Sequence, residues 1–160
     1  KPLNLMGGKE ISLLSHKEKD LLTSIKTMTN NSQRFMMIQK YLKEIKNGDT
    51  RILMTNGIVH ENVLVRYPPK NDFRANLSYG GKFKVQKINH KHLSHLKDIA
   101  IYLKNNRIYF AGVDMIGNYI TEINITSPTG IQQIELKDKN LSSSIANQFI
   151  KIVEQYYDDK

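Results

Sequence analysis

Ala111-Gly-Val-Asp-Met-Ile-Gly-Asn-Tyr-Ile-Thr-Glu-Ile-Asn124 decides the reading of this chain. Apolar runs at residues 108–115 and 119–126 flank Gly117-Asn118, a pair that tolerates the positive φ of a tight turn, so the stretch predicts a β-hairpin. Asp114 closes the first strand. Glu122 and Asn124 lie two apart on the second, and a pleated strand sends both to one face. The hairpin sets Asp114 opposite them, so two carboxylates and an amide oxygen converge. These are hard oxygen donors of the kind Mg²⁺ takes, together with waters and phosphate oxygens. The competing interpretation is a solvated polar face of an ordinary hairpin. Ile116, Ile120, Ile123 and Ile125 are expected to pack around the acids, and carboxylates in an apolar setting are costly unless a cation or partner neutralises them.

Working outward, Asn56-Gly57 between apolar runs 51–55 and 58–66 signals a second hairpin, led into by the polar turn Lys46-Asn47-Gly48-Asp49. Residues 67–81 carry Pro68-Pro69, Asn71-Asp72, Asn76 and Gly80-Gly81 with little periodicity, as a substrate-covering loop would. Residues 89–106 predict a helix with Leu93, Leu96, Ile99, Ala100 and Leu103 on one face. A final helix carries Leu141, Ile145, Phe149, Ile152, Val153 and Tyr156. Near the start, residues 11–14 read as a short strand. Ser15 and Glu18 read as a capping box for a helix burying Leu21, Leu22, Ile25 and Met28, which ends at Asn30-Asn31-Ser32, and residues 35–39 are strand-like. Antiparallel hairpins dominate, so the fold class is α+β. Lys1-Pro2-Leu3 reads as the end of a strand, and the fold is expected to continue upstream of it.

The 160 residues hold 24 Lys and Arg against 15 Asp and Glu, a formal charge of +9. That excess suits either a nucleic-acid binder or an enzyme of small anionic substrates. The chain has no cysteine, which excludes disulfides and thiolate metal sites. No apolar run approaches the ~18 residues of a membrane span, and no signal peptide is expected. His90, His92 and His95 fall on a helix face with no fourth ligand nearby, so they are read as solvated. The densest basic cluster, Lys82, Lys84, Lys87, Lys91 and Lys97, is read as a surface that steers anions.

Residues 111–130, ending Thr121-Glu-Ile-Asn-Ile-Thr-Ser-Pro-Thr-Gly130, resemble the metal-binding segment of bacterial glutathione synthetases, where G-hydrophobic-D is followed by T-E-I-N-V-T-S-P-T. Other segments resemble that family in the same order. They are Lys1-Pro2-Leu3 with Met6-Gly7-Gly8 (phosphate loop), Gln39-Lys40-Tyr41-Leu42 (adenine hinge), Gly48-Asp49-Thr50-Arg51, Arg66-Tyr67-Pro68, and Arg74-Ala-Asn76 through Gly80-Gly81 (lid). Leu5 stands where the family usually has a further glycine, and Lys82 where it often has Arg.

The resemblance implies an ATP-grasp fold of antiparallel sheets with helices packed on them, incomplete at its amino terminus. It divides the chain into part of a small subdomain at 1–42 and a large carboxyl-terminal subdomain at 43–160, with the lid at 67–81. It implies glutathione synthesis from γ-glutamylcysteine, glycine and ATP through an acyl phosphate, using Mg²⁺ or Mn²⁺. The alternatives are another ATP-grasp carboxylate–amine ligase and a basic nucleic-acid-binding module. By the same resemblance Lys1, Met6, Gly7, Gly8, Gln39, Lys40, Tyr41, Leu42, Asp49 and Arg51 bind ATP, and Arg51 and Arg66 are catalytic. Arg66, Arg74, Asn76, Gly80, Gly81, Ser127, Thr129 and Gly130 bind substrate, and Asp114, Glu122 and Asn124 hold metal. The expected protein is a cytoplasmic homotetramer with small-molecule partners and neither nucleic acid nor membrane.

Overall fold

The computed structural model describes residues 1–5 and 7–158, which form two compact units, Lys1–Lys43 and Glu44–Lys160. In the first, α1 spans Leu21–Met28, and Pro2 and Met36 form an isolated antiparallel bridge. The Met37 N–H reinforces this bridge by donating to the Lys1 carbonyl at 2.7 Å. Residues 11–14 are not a strand, and residues 35–39 pair only at Met36. Ser15 and Glu18 make only half of a capping box, because Ser15 Oγ accepts from Lys17 and not from Glu18, whose N–H donates to the Ser15 carbonyl at 3.0 Å. The Ser15 N–H donates to Glu18 Oε1 at 3.0 Å, and the Lys17 N–H donates to Ser15 Oγ at 3.2 Å. They close a single turn, however, because α1 starts only at Leu21. Leu21, Ile25 and Met28 are half-buried and Leu22 is exposed. Asn30, Asn31 and Ser32 all take positive φ directly after the helix, as their place as helix stop anticipated.

The second unit is built on an antiparallel sheet. Its strands are β1 Asp49–Thr55, β2 Ile58–Val59, β3 Asn62–Tyr67, β4 Lys82–Lys87, β5 Phe110–Ile116 and β6 Tyr119–Asn124, in the order β4-β3-β1-β5-β6 with β2 paired to β1. Asn56 and Gly57 have φ of 49° and 81° and join Thr55 to Ile58 by the two-residue turn expected of them. The run 58–66 is interrupted at His60-Glu61 and so splits into β2 and β3. Two elements escaped the sequence pattern. In β4 only Val85 is buried, so the strand shows no alternation, and α3 (Ile131–Glu135) is a bare turn and a half of helix.

Helices cover both faces. On one, α2 (His90–Asn105) lays Leu96, Ala100 and Leu103 against Ile52, Met54, Val63, Val65, Ala111, Val113 and Met115. Asn89 caps α2 by accepting from the Lys91 N–H. On the other face α3 and α4 (Leu141–Asp158) bring Ile134, Leu141 and Ile145 onto Leu53, Leu64 and Val85. The apolar stripe of α4 is buried only at its start, for Val153 and Tyr156 are exposed. Among the described residues no helix is long and apolar enough to cross a membrane.

Truncating a side chain in a closed core costs far more than truncating an exposed one. Leu96→Ala is expected to lose about 2–5 kcal/mol, read as a lower denaturation midpoint at unchanged slope. Leu22→Ala should stay within about 0.5 kcal/mol of the parent.

Candidate active site

Antiparallel pairing puts directly opposed residues on one face. The registers therefore define rows across the face that carries α3 and α4. The first row runs Tyr119, Ile116, Asp49, Arg66, Phe83 through β6, β5, β1, β3 and β4. The second runs Glu122, Asp114, Arg51, Leu64, Val85, and a third begins Asn124, Gly112, Leu53. Leu53, Leu64 and Val85 lie under the helices. The charged residues occupy the part of the face beyond them.

The charges in these rows are locked together. Arg51 grips Asp114 with two parallel bonds, Nε to Oδ1 at 2.5 Å and Nη2 to Oδ2 at 2.8 Å, the planar fork that lysine lacks. Arg66 Nη2 bridges Asp114 Oδ1 at 2.9 Å and Asp49 Oδ2 at 2.6 Å. Arg51, Arg66 and Asp114 are 6%, 7% and 5% exposed, so two arginines and one aspartate lose almost all their water and depend on one another. Arg51 Nη1 also donates to the Thr129 carbonyl at 3.1 Å, tying residues 127–130 to the sheet. Asn124 lies between Arg51 and Glu122. With its oxygen toward Arg51 Nη2 (3.1 Å) and its nitrogen toward Glu122 Oε1 (2.8 Å), both ends are satisfied.

Burial works to lower the Arg51 pKa, but the hydrogen bonds and charge of Asp114, followed by the charges of Asp49 and Glu122, outweigh it and raise it. Burial pushes the Asp49 carboxyl up to about 6; the Arg66 charge opposes this and the Asp114 charge adds to it. Two buried atoms of the cluster, Asp49 Oδ1 and Arg66 Nε, have no hydrogen-bond partner. Such orphans are costly, and a functional site is where they are expected.

A register shift between Asp114 and Met115 inserts Thr121 into β6. The bulge keeps Glu122 opposite Asp114 while turning Ile120 to the other face. Ile120, Ile123 and Ile125 are 42%, 43% and 53% exposed, so they do not enclose the acids as the sequence suggested. Asp114 owes its burial to its central strand and to the arginines.

The donor set fits a hard divalent cation. Glu122 is exposed, and Asp114 keeps one lone-pair position on Oδ2 after its three guanidinium bonds. The Asn124 amide lies on the same face, but with its oxygen on Arg51 and its nitrogen on Glu122 it would have to turn to offer that oxygen to an ion. Among the described residues there is no cluster of three His, Cys, Asp or Glu side chains, so an ion held here would complete its shell with water and ligand oxygens.

Other expected residues lie elsewhere. In the loop between β3 and β4, Arg74 grips Asp72 (Nη2 to Oδ2, 2.6 Å) and stacks 3.5 Å over the Tyr79 ring. Hydrogen bonds from Arg74 hold the Asp72 carboxyl down at about 2. Asn76 precedes a short 3-10 turn, Leu77–Tyr79, and Gly80 follows it with φ 78°. A Cβ on Gly81 would stand 2.8 Å from the Ala75 carbonyl, so only glycine lets the loop close on itself. Ser127 and Thr129 are exposed, while Gly130 is buried beside Leu64 and Arg51.

Lys1, Gly7, Gly8, Gln39, Lys40, Tyr41 and Leu42 belong to the first unit. Gly7 and Gly8 take positive φ there, and residues 39–42 form no helix or strand. Met6 lies outside the described residues.

Sequence reasoning missed Gly112, the floor beneath Arg51. A Cβ there would stand 2.9 Å from Pro128 Cβ and 3.0 Å from Arg51 Cδ. It also missed the partnership of Asp49 with Arg66, since the only signal was two charges 17 positions apart on strands whose register sequence does not give.

Buried, mutually neutralised charges on an antiparallel sheet thus lie beside an oxygen-donor cluster. Residues 1–139 match the family described as "Prokaryotic glutathione synthetase, ATP-grasp domain". The glutathione synthetase of Coxiella burnetii is 36% identical over 98% of this chain and 48% of its own length. The corresponding figures are 42% over 84% and 43% for that of Wigglesworthia glossinidia brevipalpis, and 39% over 84% and 43% for that of Pseudomonas aeruginosa. The chain belongs to the prokaryotic glutathione synthetase ATP-grasp family, and its fold is the ATP-grasp fold. It spans about half the length of the curated relatives it matches.

Gly112→Ala forces Arg51 off Asp114 and is expected to cost about 1–3 kcal/mol. Asp49 gives a pH test. Its native carboxyl holds a proton between 3.8 and about 6 where the unfolded one does not, so its contribution falls as pH rises through that window. The stability of Asp49→Asn relative to the parent should therefore improve from pH 4 to 6, by on the order of 1–3 kcal/mol, and level off above.

Proposed function

We propose that the complete protein carrying this chain is a glutathione synthase. It would join the cysteinyl carboxylate of γ-glutamylcysteine to glycine, with ATP cleaved to ADP and phosphate. Family membership and the Arg51–Asp114–Arg66–Asp49 cluster beside Glu122 and Asn124 support this reading; the cluster is the observation that carries it.

The reaction follows from what these groups can hold. The donor carboxylate attacks the γ-phosphorus, and the developing negative charge needs fixed cations. Arg51 and Arg66, already desolvated and aimed by Asp114, meet that need without reorganising. Glycine's amine then attacks the acyl carbon, phosphate departs, and an oxyanion that forms in between is stabilised by Arg66. Asp114, Glu122 and Asn124 hold Mg²⁺ or Mn²⁺, which neutralises phosphate charge when bound. Arg74, Asn76, Gly80 and Gly81 act from the loop over the substrate, where exclusion of water protects an acyl phosphate from hydrolysis. Ser127, Thr129 and Gly130 bind the peptide. Residues 1–42 act as the small subdomain, with Lys1 and the loop at Gly7-Gly8 on the phosphates and residues 39–42 on the adenine, while 43–160 act as the large subdomain. The complete enzyme is a cytoplasmic homotetramer in this reading.

In the complete protein, Asp114→Asn and Glu122→Gln are expected to lower glutathione formation at least about a hundredfold. Stabilisation by ADP should require Mg²⁺ in the parent and be lost in both variants. Undiminished, metal-dependent nucleotide binding in both would sink the assignment.

A further inference from the structure

The segment 67–81 starts one position after Arg66 and returns to the sheet beside the same residue, since Tyr67 pairs with Lys82 and Arg66 with Phe83. It folds against its own stem. A Cβ on Gly81 would stand 2.8 Å from the Ala75 carbonyl and 3.1 Å from those of Asn76 and Tyr67, and Ala75 is buried. Arg74, next in the chain to Ala75, is thereby kept near that stem.

The Arg74 guanidinium is engaged within the segment. Nε donates to Asp72 Oδ1 and Oδ2, both at 3.1 Å, and Nη2 donates to Oδ2 at 2.6 Å. The Arg74 backbone N–H donates to Oδ1 at 2.9 Å, and the Tyr79 ring covers one face of the group at 3.5 Å. Hydrogen bonds from Arg74 hold the Asp72 carboxyl at about 2, so it is ionised near neutral pH. The Nε–Nη2 edge is one that receives a carboxylate or a phosphoryl group as a fork. Asp72 and a substrate anion cannot fill it together. With Asp72 beside it, moreover, the pair carries no net charge to draw an anion in. We propose that Asp72 is an internal stand-in for a substrate oxyanion. It holds Arg74 in a resting clasp, and binding replaces it on the Nε–Nη2 edge with a carboxylate or phosphoryl group of the substrate. The inference rests on the ligase reading above, in which Arg74 contacts substrate. A clasp of this kind lowers apparent affinity in proportion to the fraction of molecules in which it is closed.

The test is steady-state kinetics of the complete enzyme, with γ-glutamylcysteine and ATP varied in turn. Asp72→Asn keeps the shape of the side chain and removes its charge. It should lower the KM for the anion that takes Arg74 about three- to tenfold, by opening the clasp. The kcat and the KM for glycine should stay within about twofold. A fall for γ-glutamylcysteine assigns the exchange to the peptide carboxylate, and a fall for ATP assigns it to a phosphoryl group. Asp72→Glu, which keeps the carboxylate, should stay near the parent. In an Arg74→Ala background Asp72→Asn should change neither KM, because no guanidinium is left to release. An unchanged or higher KM for both anions in Asp72→Asn, or an equal fall with Arg74 absent, overturns the assignment. If the parent enzyme forms no glutathione from γ-glutamylcysteine, glycine and ATP, the ligase reading fails and the clasp falls with it.

Discussion

Arg51 and Asp114 oppose each other on the two central strands of the sheet, and the rest of the domain is arranged around their burial. Taking both charges out of water is expensive, and only a two-bond fork with further partners on each side makes it tolerable. Arg66 and the Thr129 carbonyl provide those partners. The pair also pins register. A slip of one residue between β1 and β5 would send one of the two charges to the face that α2 covers, among Ile52, Val113 and Leu96, and break the pair.

The two faces of the sheet consequently do different work. The α2 face is closed with aliphatic side chains and supplies stability. The opposite face is divided: its rows begin as core under α3 and α4 and end as charge beyond them. Rigid strands thus hold the cationic groups, and residues 67–81 run on from the strand that carries Arg66 to β4. That segment has its own clasp, Arg74 on Asp72 and Tyr79. Gly112 shows how tight the arrangement is, since Arg51 crosses the sheet where a side chain on β5 would stand.

Local chemistry determined much of this from sequence alone. Asn56-Gly57 and Gly117-Asn118 specify two hairpins because few residue pairs accept their turn geometry, and helical periodicity specified α2 and α4. The spacing of Glu122 and Asn124 placed both on one face, and the hairpin brought Asp114 to them. Where the pattern was weak the sequence misled. The apolar run at 11–14 has no strand partner, and β4 pairs along its whole length although only Val85 is buried. What only the tertiary structure decided is long-range register. It matched Arg51 to Asp114 across 63 positions and Arg66 to Asp49 across 17, inserted the bulge that turned Ile120 away, and set Phe83 beside Arg66. Sequence carries the identity of each charge and its local alternation, but which charges are buried together depends on how the strands pair.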